Sequence, residues 1–153
     1  MFRILDHLSL NDTDVFGDLG CGKGRAICCA ARYQIAQVIG VECLDNLCEL
    51  ARRNVQRLRG RRSPTSVVNV PAEDFDYSCG TAFYLFNPFG PATMREVLGK
   101  LRSGLDARPR VVRIAYVNPM HEEVLAATPW LKRYAMLPDA QLRDFNPTSF
   151  WTT

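Results

Sequence analysis

The sequence predicts an α/β protein built on a doubly wound, mostly parallel sheet with helices on both faces. Two observations predict it. Short apolar runs alternate with amphipathic stretches from Asp14 onward, which is how strands and crossover helices write themselves into sequence. One of those runs also passes through three closely spaced glycines directly into a helical stretch.

Strands are expected at 15–19, 37–41, 66–70, 81–86 and 110–117, each short and continuously apolar as when helices cover both faces. The Ala-rich stretch 23–33 and the stretch 45–58, with Leu47, Leu50, Ala51 and Leu58 on one side, suit packed crossover helices. Pro91 fits a first helical turn, after which Met94, Val97, Leu98, Leu101 and Leu105 keep helical spacing until the Gly104 region ends the element. A short helix is expected over 119–128. Segments 131–137 and 149–152 suit an antiparallel hairpin at the sheet edge, interrupted by Pro138 and Pro147.

At 153 residues the chain matches one domain able to bury about 68–70% of its unfolded surface. A single domain over 1–153 is expected, with a core at about 15–119 and edge strands at about 131–152. A composition of 47% hydrophobic and 23% charged residues excludes a disordered, collagenous or coiled-coil chain. The net charge of +3 names no partner by itself. Residues 1–10 carry Arg3 and Asp6 and lack the apolar core of a signal peptide. The longest uncharged stretch, 79–94, contains Gly80, Pro88, Gly90 and Pro91 and does not read as a membrane helix. A soluble, cytoplasmic protein is expected. Cys21, Cys28, Cys29, Cys43, Cys48 and Cys79 form no Cys-x-x-Cys pair, and His7 and His121 stand far apart. Free, mostly buried thiols and no metal are expected.

The most informative segment runs from Val15 through Gly20, Gly22 and Gly24 to Arg25. Glycines there let backbone amides approach a ligand closely. A nucleoside triphosphate loop would need a hydroxyl where Gly24 stands, and no apolar run ends in the required second aspartate. A dinucleotide fingerprint would need glycine at Arg25, and the Asp18 carboxylate would repel a pyrophosphate. Asp18 suits an ammonium group or a ribose hydroxyl instead, so the ligand looks like a nucleoside carrying an amino acid.

The segment Asp18-Leu-Gly-Cys-Gly-Lys-Gly24 resembles the first motif of the class I S-adenosylmethionine-dependent methyltransferases. Val38-Ile-Gly-Val-Glu42 is similar to the second, where an acid takes the ribose hydroxyls. Pro71-Ala-Glu-Asp-Phe75 falls where the family binds adenine, and Phe83-Tyr-Leu-Phe-Asn-Pro-Phe89 where it places its active-site motif. The resemblance covers 15–119 and implies a seven-stranded Rossmann-like sheet completed by the C-terminal hairpin. It implies S-adenosylmethionine as cofactor, S-adenosylhomocysteine as product, and binding by Asp18, Gly20, Cys21, Gly22, Gly24, Glu42, Ala72, Glu73 and Asp74. Two departures stand out. Gly17 interrupts the first strand, and Pro71 replaces the aspartate that many relatives use for adenine, leaving the Ala72 backbone and Glu73 or Asp74.

Asn87-Pro88-Phe89 resembles the asparagine-proline-proline-aromatic motif of amino-group methyltransferases, with Phe89 at the second proline. The resemblance makes Asn87, Pro88 and Phe89 the candidate catalytic residues, Asn87 orienting an acceptor NH₂ and the aromatic packing on it. Asn118-Pro119 repeats the arrangement beside His121. Arg52, Arg53, Arg57, Arg59, Arg61 and Arg62 form a basic cluster that reads as a solvated face or as a surface for phosphates. The acceptor is open between small molecule, protein and RNA. With no recognition domain before the first strand, a partner subunit or a missing N-terminal cap would complete the site. The alternatives are a non-catalytic cofactor- or partner-binding module with this fold, and a nucleotide-dependent oxidoreductase.

Overall fold

The computed structural model describes residues 1–137 and 146–153. Along them run α1 (Phe2–His7), β1 (Val15–Leu19), α2 (Arg25–Ala30), β2 (Gln37–Glu42), α3 (Asp45–Arg57), β3 (Thr65–Asn69), a 3₁₀ turn (Ala72–Asp74), β4 (Ala82–Phe86), α4 (Pro91–Ala107), β5 (Arg113–Val117), α5 (Glu122–Ala126), β6 (Lys132–Leu137) and β7 (Thr148–Thr152). The sheet has seven strands in the order β3-β2-β1-β4-β5-β7-β6. β1 to β5 pair in parallel, whereas β7 runs antiparallel to both β5 and β6. The interruption expected at Pro138 lies outside the described residues.

Alternation along the strands divides the core between the two faces of the sheet. On β4, Ala82 and Tyr84 join Phe16, Ile27, Val38, Ala51 and Phe150 under α1, α2 and α3. Phe83 and Leu85 join Leu19, Met94, Leu101, Ile114 and Trp151 under α4 and α5. Gly17 is the gap through which this second layer packs: a Cβ there would lie 2.8 Å from the Phe83 ring. The strand is therefore complete across Gly17.

Helix α1 was not foreseen in the pattern of residues 1–10. Ile4, Leu5 and Leu8 bury against the sheet, and each fully buried leucine stabilises the fold by roughly 2 kcal/mol. The Arg113 guanidinium donates to the Leu8 carbonyl at 2.5 Å and to the Ser9 carbonyl at 3.0 Å. It also pairs with the buried Asp14 at 2.5 Å, and Asp14 accepts from Thr81 Oγ1 at 2.7 Å and from the Asn11 amide at 2.8 Å.

Three expectations need correction. Gly104 does not end α4, which continues to Ala107; a Cβ at 104 would lie 3.2 Å from the Tyr77 carbonyl oxygen, so the glycine serves close packing. The fifth strand starts at Arg113, because Arg110 uses its side chain to donate to the carbonyls of Gly80 at 2.8 Å, Gly104 at 3.0 Å and Arg108 at 2.9 Å. The thiols are not mostly buried: Cys21 and Cys48 are, Cys28 and Cys29 are half-buried, and Cys43 and Cys79 are exposed. No helix among the described residues is long and apolar enough to cross a membrane.

Candidate cofactor and acceptor site

Strand order reverses between β1 and β4, and in open α/β sheets that switch point leaves a crevice at the carboxyl ends of the strands. A cavity of about 340 Å³ occupies it here, lined by Asp18 of β1, Gly20 and Cys21 just after it, Arg25 and Ala26 of α2, Tyr84 and Phe86 of β4, Val117 of β5, Ile4 of α1 with Met1 just before it, and Asn146.

The glycine loop is shaped by its own backbone. Gly20, Gly22 and Gly24 have φ of 77°, 54° and 82°, the left-handed region that side chains disfavour. The amides of Gly20 and Cys21 both donate to the Val41 carbonyl at 2.9 Å, tying the loop to β2. Pro88 packs on the other side, where a Cβ on Gly20 would come within 2.5 Å of the Pro88 Cβ. Cys21 fills the space over Gly40, its sulfur 2.8 Å from where a Cβ would stand. Burial foremost, then the charges of Asp18 and Glu42, push the Cys21 thiol well above its ordinary pKa, so it is a packing group rather than a nucleophile.

Glu42 ends β2 and is only 8% exposed. Its Oε2 accepts from the Gly22 amide at 2.9 Å, and its Oε1 accepts from the amides of Cys43 at 3.0 Å and Leu44 at 3.1 Å. A carboxylate offers about four acceptor positions, so one side chain organises the glycine loop and the start of α3 and keeps capacity for a ligand hydroxyl. The Ala72–Asp74 turn lies on the same side: the negative charge of Glu73 is among the influences that raise the Cys43 thiol, after burial and Glu42. The Ala72 carbonyl accepts from the Tyr77 hydroxyl at 2.8 Å.

Asp18 differs from Glu42. It is 3% exposed, and no group among the described residues donates a hydrogen bond to its carboxylate. Burial, with the negative charge of Glu42 adding to it, pushes its pKa up to about 8. Arg25 lines the same cavity, exposed, with no carboxylate pairing it among the described residues. The sequence pattern treats Arg25 only as the wrong residue for a dinucleotide loop; in the fold it supplies the cation opposite Asp18. Burial also holds the neighbouring Tyr84 hydroxyl protonated, with the charge of Asp18 adding to the effect.

The acceptor side departs from its motif. Asn87 sits at φ 42°, half-buried, and its Oδ1 accepts from the Tyr116 hydroxyl at 3.2 Å. That hydroxyl in turn accepts from the His121 amide at 3.3 Å, joining the Asn87 turn to the one at Asn118, whose φ is 49°. His121 caps α5. Phe89 packs against the apolar layer under α4 rather than on the cavity; the aromatics on the cavity wall are Tyr84 and Phe86, the latter 49% exposed. Phe86 was legible from strand parity, because it falls on the same face as Tyr84, two residues earlier.

Among the described residues no group of three or more His, Cys, Asp or Glu side chains is placed to hold a metal ion. Residues 1–70 match the family described as "Histone methylation protein DOT1". The chain is 31% identical over 85 residues to a protein-lysine N-methyltransferase of Saccharolobus islandicus (strain REY15A), an alignment covering 55% of this chain and 52% of that protein. The chain thus spans about half the length of this curated relative. It superposes on a SAM-dependent methyltransferase from Aquifex aeolicus with a TM-score of 0.73 at 11% identity, covering 99% of this chain and 88% of the other. An RNA methyltransferase from Salinibacter ruber in complex with S-adenosyl-L-homocysteine gives a TM-score of 0.68 at 22% identity, covering 99% and 88%. The chain has the fold of the class I S-adenosylmethionine-dependent methyltransferases. The family match spans α1 to β3 and includes the glycine loop and Glu42, while Asn87 to Phe89 lie beyond it.

Proposed function

We propose that this chain transfers a methyl group from S-adenosylmethionine to an amino nitrogen, with the side chain of a protein lysine as the acceptor class. The observation that carries the cofactor assignment is the unpartnered Asp18 carboxyl and Arg25 guanidinium lining one cavity beside a glycine loop, the carboxyl ionising as it meets an ammonium group. That pairing complements a zwitterionic amino acid, Asp18 taking the ammonium group and Arg25 the carboxylate. It does not suit a pyrophosphate. Glu42 would take ribose hydroxyls and the Ala72–Asp74 turn the adenine. When bound, S-adenosylmethionine supplies a sulfonium methyl for in-line displacement.

The chain's own residues then have to hold an amine and keep water out. Phe86, Val117, Met1 and Ile4 form an apolar wall on the cavity, which suits an aliphatic chain and disfavours the charged ammonium form at its end. The Tyr116 hydroxyl fixes the Asn87 carbonyl from one side, leaving its second lone pair for an acceptor N–H. Orientation of this kind contributes most where little acid–base chemistry is required. Support for a protein acceptor comes from the description of the matched family as a histone methylation protein, and support for lysine from the name of the Saccharolobus islandicus relative. Six free cysteines fit a reducing compartment, and we place the protein in the cytoplasm.

The test is transfer of labelled methyl from S-adenosylmethionine to a lysine-rich polypeptide, read as mass increments on lysine. Asn87→Gly keeps the positive φ and removes the carbonyl, so it should cut turnover by roughly 10²-fold, the scale of one preorganised polar contact, with S-adenosylhomocysteine affinity nearly intact. Full turnover in Asn87→Gly with loss of stability in Asn87→Ala would make Asn87 a turn residue. No transfer with intact cofactor binding would favour a non-catalytic binding module.

A further inference from the structure

The charge of this protein is segregated. Six arginines fall between positions 52 and 62, and no Asp or Glu occurs from 50 to 72. The rest of the chain has 13 basic against 16 acidic residues, so this one segment turns an acidic protein into one of net charge +3. All six arginines are exposed. Arg53 pairs with Glu49 at 3.3 Å, Arg52 donates to the Val67 carbonyl at 3.1 Å, and Arg62 donates to Gln34 Oε1 at 3.0 Å. Among the described residues, Arg57, Arg59 and Arg61 have no hydrogen-bond or ion-pair partner.

The loop that presents them is built rather than loose. The Arg62 amide donates to the Ala31 carbonyl at 2.7 Å. Ser63 Oγ donates to the Tyr33 carbonyl at 2.6 Å and accepts from the Ile35 amide at 2.9 Å. Gly60 turns the loop at φ 72° and brings it beside Arg32, whose Nη1 lies 4.0 Å from where a Cβ would stand. Five guanidinium groups, at 32, 57, 59, 61 and 62, therefore share one anchored surface at the amino end of β3. The cavity is at the carboxyl ends of the strands, separated from them by the 13 residues of α3, about 20 Å at helical rise.

We propose that this surface docks the phosphate backbone of duplex nucleic acid. Guanidinium groups pair phosphate oxygens in two-pronged fashion, and every basic residue in the segment is arginine. The arginine segment itself carries no Phe, Tyr, Trp or His, so it offers no row of aromatic rings along which successive unpaired bases would stack. The surface recognises regularly spaced phosphates without reading bases. It would hold a nucleic-acid-bearing acceptor or its carrier while the cavity works on a group some distance away.

The probes are short DNA and RNA duplexes of arbitrary sequence, titrated into the whole chain by fluorescence anisotropy between about 50 and 200 mM NaCl. Binding is expected near Kd 10⁻⁵ M at physiological salt, within the usual non-specific range of about 10⁻⁴–10⁻⁶ M. The triple variant R57Q/R59Q/R61Q should reduce the log–log salt slope by about 2.7, or 0.9 for each phosphate contact removed, and leave S-adenosylhomocysteine binding unchanged. R102Q, whose guanidinium pairs with Asp106 at 2.6 Å on α4, should leave the slope unchanged. Comparison of the two duplexes tells DNA from RNA as the source of phosphate. No binding of either duplex, an unaltered slope in the triple variant, or equal competition by polyglutamate would overturn the proposal. Because the readout needs no methyl transfer, failure of the methyltransferase assignment leaves it standing and is told apart by the S-adenosylhomocysteine titration.

Discussion

Replacing Arg25 by alanine removes one charge from the cavity and nothing from the core, since the side chain is exposed and unpaired among the described residues. A charge-assisted hydrogen bond is worth about 1.5–3 kcal/mol. Solvent access at Arg25 brings that to about 1–2 kcal/mol, or roughly a 5–30-fold loss of affinity for a ligand carrying a carboxylate. Calorimetry with S-adenosylhomocysteine and with 5′-methylthioadenosine, which has the same nucleoside but no amino-acid group, separates this effect from any general damage. R25A should weaken the first and leave the second unchanged. Equal weakening of both ligands, or of neither, would refute the assignment of Arg25 to the carboxylate.

Two further outcomes follow from buried carboxylates. The folded protein holds the Asp18 proton up to about pH 8 against an ordinary pKa of 3.8. Stability of the ligand-free protein should therefore fall as pH rises from about 4 to 8, and affinity for an ammonium-bearing ligand should rise over the same range; D18N should flatten both profiles in calorimetry. Asp14 behaves in the opposite sense. Burial alone would raise its pKa, but hydrogen bonds from Arg113, Asn11 and Thr81 and the Arg113 charge bring it below 3.8, so its contribution is present above that pH and lost as pH falls through the lowered value. D14N should cost about 2–3 kcal/mol at neutral pH, lowering Tm by roughly 4–12 °C in a thermal melt, with the gap to the native protein closing in acid.

Much of the glycine loop's geometry could be read from sequence because its signals are backbone signals. Gly20, Gly22 and Gly24 all adopt positive φ, and β1 begins and ends where the apolar run does. Glu42 was placed correctly at the end of its strand, but its bonds to the Gly22, Cys43 and Leu44 amides are tertiary facts that spacing does not carry. Gly104 misled because a glycine that ends a helix and one that lets a neighbouring carbonyl approach look alike in sequence. α1 went unread since six residues are too few to display a period. Arg25 was weighed against a motif in which it does not belong, and its role appears only when β4 brings Tyr84 and Phe86 across from α2. The motif position gives Phe89 to the acceptor, whereas the period of the strand puts Phe86 on the cavity wall and Phe89 in the apolar layer.

The most direct test of the cofactor assignment is a titration of the native chain with S-adenosylhomocysteine, NAD and ATP, followed by thermal unfolding. A ligand at 100 times its Kd stabilises the folded state by about 2.7 kcal/mol, which for a chain of this size raises Tm by roughly 5–10 °C. S-adenosylhomocysteine should produce that shift at a stoichiometry of one per chain, and NAD and ATP should not. An equal shift from NAD or ATP, or no shift from S-adenosylhomocysteine at millimolar concentration, would contradict the assignment.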